Sequence, residues 1–119
     1  MSEQVRLVET TESIGRWAAD TFGEAGTDAR VAARANEEMA ELLRKVTSEN
    51  PRSAEIIEEC ADVAIVLARL VYRNGGQLWT AVEAKMAVNR AREWELDGTG
   101  HGYHVKHSPA VPATALGGG

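Results

Sequence analysis

Two acidic pairs, Glu38-x-x-Glu41 and Glu59-x-x-Asp62, are the residues here whose types and spacing could do chemistry. Residues three apart lie on one face of an α-helix, one turn above the other. Two such helices packed together would bring four carboxylates to a shared point. Their mutual repulsion calls for a cation. Hard divalent ions with oxygen ligands meet that demand, Mg²⁺ first and Mn²⁺ as its substitute.

Asp62 makes the strongest case. From Cys60 to Ala68 the chain runs CADVAIVLA, and Asp62 is its only polar side chain. The positions three and four residues away are Glu58, Glu59, Ile65 and Val66, so no Lys or Arg of the same helix can pair with it. A carboxylate in such a helix is costly to bury unless it is paired or binds a metal. The competing reading is a solvated or hydrogen-bonded acid. Glu38 and Glu41 are more ambiguous. Arg34 lies four residues before Glu38 and Lys45 four after Glu41. Two ordinary surface ion pairs, contributing about 0.3–0.5 kcal/mol each, would account for them equally well.

These helices belong to an all-α pattern. Ile14, Trp17, Ala18 and Phe22 repeat at helical spacing and predict a helix over Thr11–Phe22. Gly23 and Gly26 flank a loop. Thr27 is placed to cap a second helix that runs to Val46, with Val31, Ala35, Met39, Leu42 and Val46 on its apolar face. Asn50 is expected to cap a third helix, with Pro51 in its first turn and its end at Arg73. Asn74-Gly75-Gly76 supplies the stop. A fourth helix is expected over Leu78–Leu96. DGTGHGYHV beyond it should be irregular, and residues 106–119 should form a flexible tail on a single domain of residues 1–105.

The third helix is apolar nearly all round between Cys60 and Val71, which predicts burial on every side. Four helices of one chain cannot easily cover it, so a homodimer at least is expected, with this helix near the interface. The other possibility is a central helix wrapped by its own chain.

Bulk properties narrow the classes. A net charge of −5 with no basic stripe argues against general nucleic-acid binding, and would repel nucleotides unless metal ions intervene. The sole cysteine, Cys60, is expected in the core, too buried to serve as a nucleophile. No signal peptide and no membrane-length apolar run is evident, so a cytoplasmic location is expected.

A second constellation lies on the fourth helix. Lys85, Asn89 and Arg92 follow i, i+4, i+7 spacing. Lys and Arg complement phosphate, and Asn can bind a phosphate oxygen, a sugar hydroxyl or a base edge. A solvated face explains the same spacing. Beside an acidic metal site the combination reads differently: acids hold the metal, the metal bridges polyphosphate, and the cationic face takes the phosphates' far side. Trp17 and Phe22 could stack on a nucleobase or pack in the core. Trp79 and Trp94 are expected in the core or an interface. His101, His104 and His107 recur every third residue and could form a metal tract, but are more easily read as exposed or as part of a lid.

Three segments, EEMAELL, EECADVAIVLARL and KMAVNRAREW, occur in this order and separation. They resemble the MazG-like all-α nucleoside triphosphate pyrophosphohydrolases, whose pattern is EExxE, then ExxD, then K-M-x-x-N-R-x-R. WAADTFGEAG and REWELDGTG further resemble a branch of small enzymes described as dATP/dGTP diphosphohydrolases. The resemblance implies a helical bundle assembled as a homodimer or a dimer of dimers. It implies Mg²⁺-dependent cleavage between the α- and β-phosphates of a nucleoside triphosphate. Glu38, Glu41, Glu59 and Asp62 then carry over as metal ligands, and Lys85, Asn89 and Arg92 as nucleotide contacts. Glu37 matches the first acid of the EExxE element.

Phosphoanhydride hydrolysis needs positioning, charge neutralisation and an activated water, all of which metal ions can provide. Glu41 and Glu37 are the candidate general bases. There is no GxxxxGK[ST] loop and no GxSxG elbow, so direct attack by water is the simplest mechanism. The alternatives are a phosphoribosyl-ATP pyrophosphohydrolase, which shares the bundle and its acids, and a non-catalytic helical interaction protein.

Overall fold

A computed structural model describes residues 8–106, with four α-helices and one β-hairpin among them: α1 (Thr11–Phe22), α2 (Asp28–Val46), α3 (Ser53–Arg73), α4 (Leu78–Ala91), β1 (Trp94–Leu96) and β2 (Gly102–His104). The expected tail from residue 107 onward, with His107, lies outside the described residues. The chain divides into two compact units, one ending at Glu83 and one starting at Ala84. No helix of the described residues is long and apolar enough to cross a membrane.

Local chemistry explains the helix starts. Thr10 and Ser13 form a reciprocal capping box: the Thr10 hydroxyl accepts from Ser13 N–H at 3.0 Å, and the Ser13 hydroxyl accepts from Thr10 N–H at 2.7 Å. Thr27 caps α2 by accepting from Arg30 N–H at 3.2 Å. The third helix starts later than expected. Arg52, extended at φ −113°, is its cap residue, and the Arg52 carbonyl accepts the Ile56 N–H, so Pro51 lies outside the helix.

In the first unit α3 is the shared element. It packs against α2 and against α1. The α1–α3 approach depends on Gly15: a Cβ there would collide with the Tyr72 ring. Thr11, fully buried, accepts the Leu78 N–H at 2.8 Å and ties the start of α4 to α1.

The α2–α3 pair is antiparallel and tied near both ends. At one end Asp28 accepts from Arg73 Nε at 2.8 Å and from Asn74 Nδ2 at 3.0 Å. At the other, Lys45 Nζ lies 3.7 Å from Glu55. This register sets Glu38 across from Asp62 and Glu41 across from Glu59.

Among the described residues, the apolar girdle of α3 is not wrapped by its own chain. Ala68 is its one buried residue, while Ile57, Ile65 and Leu67 are exposed. Cys60 is exposed as well, which corrects its expected place in the core. It lies on a side of α3 that neither α1 nor α2 covers.

In the second unit α4 ends at Ala91, five residues before the expected Leu96. The Asn89 carbonyl accepts both the Arg92 N–H at 3.2 Å and the Trp94 indole N–H at 2.9 Å, which closes the helix. The segment expected to be irregular forms a hairpin instead, with Trp94 opposite His104, Glu95 opposite Tyr103 and Leu96 opposite Gly102. Its loop needs Gly98 and Gly100 at positive φ (84° and 92°). Asp97 organises it by accepting from Thr99 N–H at 2.9 Å and Thr99 Oγ1 at 2.7 Å. Trp94 is half-exposed and its ring lies 6.2 Å from that of His104; Trp79 is more exposed still, so neither is core.

Candidate metal centre

Glu38 on α2 and Glu59 and Asp62 on α3 each offer a carboxylate oxygen, and these oxygens all lie within 4.8 Å of one another. The three residues are half-buried. They are the one such group of metal-ligating side chains among the described residues. Helical spacing puts Glu59 and Asp62 on one face, and the antiparallel register brings Glu38 across to them.

The residues fit a hard divalent ion. Glu59 Oε1 is buried without a hydrogen-bond partner, an orphaned acceptor in a cluster of acids. Burial pushes the Glu59 carboxyl above its ordinary value, and the charges of Asp62, Glu41 and Glu38 add to the shift, with Lys45 opposing. A cation between these oxygens would satisfy the orphan and relieve the repulsion together.

Glu41 and Glu37 are placed differently. Glu41 is not one of the three convergent acids, although its charge is felt at Glu59. It pairs with Arg44 at 2.6 Å, not with Lys45, and Arg44 holds its carboxyl below the ordinary value. Glu37 is exposed and pairs with Arg34 at 2.7 Å. Arg34 also reaches Glu38 at 2.9 Å, so the ordinary ion pair expected for Glu38 is present alongside the cluster. Glu37 and then Glu38 push the Arg34 guanidinium above its ordinary value, and Asp62 contributes.

Lys85, Asn89 and Arg92 belong to the second unit. Lys85 is exposed, and Asn89 is half-buried and accepts from Arg92 Nη1 at 3.4 Å. Arg92 lies just past the end of α4 and is kept beside Asn89 by the tight turn. His101 and His104 belong to no metal-ligating group among the described residues.

Two clefts open in the first unit. Trp17 lines one of about 630 Å³, with Ile14, Ala61, Ala64 and Ile65. Phe22 lines another of about 460 Å³, with Val31, Val66 and three arginines, Arg30, Arg34 and Arg69. Trp17 (52 % exposed) and Phe22 (65 %) are not core; their rings meet edge to face at 5.3 Å. Sequence reasoning did not single out Arg30 and Arg69, which the fold brings to one cleft. The available signal was their step from the acids: Arg30 and Arg34 precede Glu38 by eight and four residues, and Arg69 follows Asp62 by seven.

The fold is an all-α bundle in which a Glu from one helix and a Glu-x-x-Asp from the next come to a common point. A structural comparison finds the same fold in a solved protein, the cyanophage S-2L MazG-like pyrophosphohydrolase bound to dGDP and three catalytic Mn²⁺ ions per active site. The two are 28 % identical, with a TM-score of 0.64 over 82 % of this chain and 91 % of that one. No family model matches the sequence, and comparison with curated proteins finds no match.

Proposed function

We propose that this chain is a nucleoside triphosphate pyrophosphohydrolase. It cleaves between the α- and β-phosphates of a (deoxy)nucleoside triphosphate, with dGTP and dATP foremost, and yields the monophosphate and pyrophosphate. Mg²⁺ is its cofactor and Mn²⁺ can substitute. The observation that carries this reading is the convergence of Glu38, Glu59 and Asp62 around the unpartnered Glu59 Oε1. The similar cyanophage protein, with its dGDP and Mn²⁺ ions, supports it.

Glu38, Glu59 and Asp62 would hold the cation, with Glu41 as a fourth ligand. When bound, the cation supplies charge neutralisation at phosphate oxygens and acidifies water. Glu41 or Glu37 accepts the proton of the attacking water at a carboxylate oxygen. Arg44 keeps Glu41 ionised, the form a base requires. Lys85, Asn89 and Arg92 bind the nucleotide, and the exposed rings of Trp17 and Phe22 offer faces to the base. The enzyme works as a homodimer or a dimer of dimers with α3 near the interface, in the cytoplasm where its substrates are.

One assay tests the reaction. The protein and Mg²⁺ are incubated with each (d)NTP and with phosphoribosyl-ATP, and the products are identified. Monophosphate plus pyrophosphate from dGTP or dATP is expected. Diphosphate plus phosphate would refute the cleavage position, and turnover of phosphoribosyl-ATP alone would move the protein to the other pyrophosphohydrolase class. No turnover of any substrate would favour an interaction protein.

A further inference from the structure

We propose that the cleft lined by Arg30, Arg34 and Arg69 is a binding site for a pyrophosphate-type anion; that this anion is the pair of phosphates released in the reaction rests on the hydrolysis proposed above.

Charge pairing in the first unit points there. Among its arginines in the described residues, Arg16, Arg34, Arg44, Arg52 and Arg73 each pair with a carboxylate. Arg30 and Arg69 pair with none among the described residues, and both line this cleft. The chain has 18 acids against 13 basic residues, so carboxylates are not scarce. Two guanidinium groups without counter-ions on facing helices leave a local positive charge that an anion would neutralise. Glu24 is the single acid of the lining, and it pairs with neither arginine among the described residues.

Arg69 is already set in place. Its Nη2 donates to the Gly23 carbonyl at 2.7 Å, and its guanidinium carbon lies 5.9 Å from the Phe22 ring centroid. A guanidinium has five N–H donors in a planar fork, so one backbone contact leaves most of them for phosphate oxygens. Phe22, Val31 and Val66 give the cleft apolar walls, which strengthen charge pairing inside it.

Position links this cleft to the acids. On α2, Arg34 and Arg30 stand one and two turns before Glu38; on α3, Val66 and Arg69 stand one and two turns after Asp62. At about 5.4 Å per turn, a phosphate chain held at the acids reaches the arginines within one or two turns. Arg34 joins the two places. It now pairs with Glu37 and Glu38. Glu38, if held by a cation, would pair less with Arg34, whose guanidinium could then turn to the cleft.

The test uses the full chain, freed of metal with chelator, and titrates inorganic pyrophosphate by calorimetry. The parent protein, Arg30→Gln, Arg69→Gln and Arg69→Lys are compared, with circular dichroism to confirm folding. Arg30 is exposed and its side chain makes no hydrogen bond or ion pair among the described residues, so its variant tests the site even if Arg69→Gln perturbs the loop. Pyrophosphate should bind the parent more tightly than orthophosphate. Each Gln variant should weaken it by about tenfold, as expected for one charge-assisted contact, and Arg69→Lys should recover part of the loss. Absence of pyrophosphate binding to the parent, or an affinity in both Gln variants equal to the parent's, overturns the proposal. Arginine-dependent binding without any nucleotide turnover would keep the anion site and remove its link to hydrolysis. Turnover with unchanged affinity in the Gln variants would remove the site and leave the hydrolysis standing.

Discussion

Glu59 carries two burdens, a buried oxygen with no partner and three carboxylate neighbours; burial first and then those charges raise its pKa. Its proton is held to higher pH in the folded chain than in the unfolded one. Ionisation therefore destabilises the cation-free fold as pH rises through the carboxylate range, and Glu59→Gln removes that penalty. Without cation, Glu59→Gln should unfold at a temperature equal to or above the parent's, yet lose the rise in Tm that Mn²⁺ gives the parent. Turnover should fall by more than about 100-fold in Glu59→Gln and Asp62→Ala with helix content retained, since even indirect supports of metal ligands are worth 10–100-fold. Full activity in either variant would remove the site. Cation affinity should weaken as pH falls toward the carboxylate range, because Glu59 must lose its proton to serve as a ligand; calorimetry at two pH values checks the sign. Asp62 was legible in the sequence because a single acid in CADVAIVLA has no cheap explanation. Arg30 and Arg69 were not, since arginines at helical spacing usually mark a solvated face, and only the packing of α2 on α3 shows them sharing a cleft.

At the scale of elements, the acids depend on the register of two antiparallel helices. Asp28 secures one end of it. Arg73 and then Asn74 lower the Asp28 pKa, so its stabilisation is present above the ordinary aspartate pKa of 3.8 and is lost as pH falls through the lowered value. Asp28→Asn should erase that acid-side loss in a Tm-against-pH series and leave the neutral-pH fold intact. Gly15→Ala is a harsher test, because the added methyl meets the Tyr72 ring. Overpacking of this kind costs about 1–3 kcal/mol, measurable by denaturant unfolding, and it should spread α1 from α3. Helices α1 and α2 were readable to the residue because capping threonines and apolar periodicity agree there. The end of α4 was not. Trp94 and Arg92 close it through the Asn89 carbonyl, a contact between residues that periodicity alone cannot foresee. The hairpin had a signal, alternation around Asp97-Gly98, that the glycine content masked.

At the scale of the whole molecule, apolar exposure is the dominant fact. Three hydrophobic residues are buried among the described residues, Ala18, Val31 and Ala68, while Ile57 is 69 % exposed and Met39, Leu43, Leu67 and Val82 are also open. A soluble monomer rarely leaves so much apolar surface uncovered. Light scattering should therefore report a dimer or tetramer, and a monomer at micromolar concentration would remove the oligomer proposal. The all-round apolar character of α3 made the exposure of Ile57, Ile65 and Leu67 legible in the sequence. The sequence could not say which side of α3 stays open, since that depends on where α1 and α2 settle.

The solvent-facing thiol of Cys60 then becomes a built-in reporter. It sits between Glu59 and Asp62 in the chain, on the helix proposed to lie near an interface. Its alkylation by a maleimide should be quick in dilute protein and slow as concentration rises, if a second copy shields that side. A rate indifferent to dilution would mean that the thiol, and the stretch of α3 around it, faces water in every assembly the protein forms.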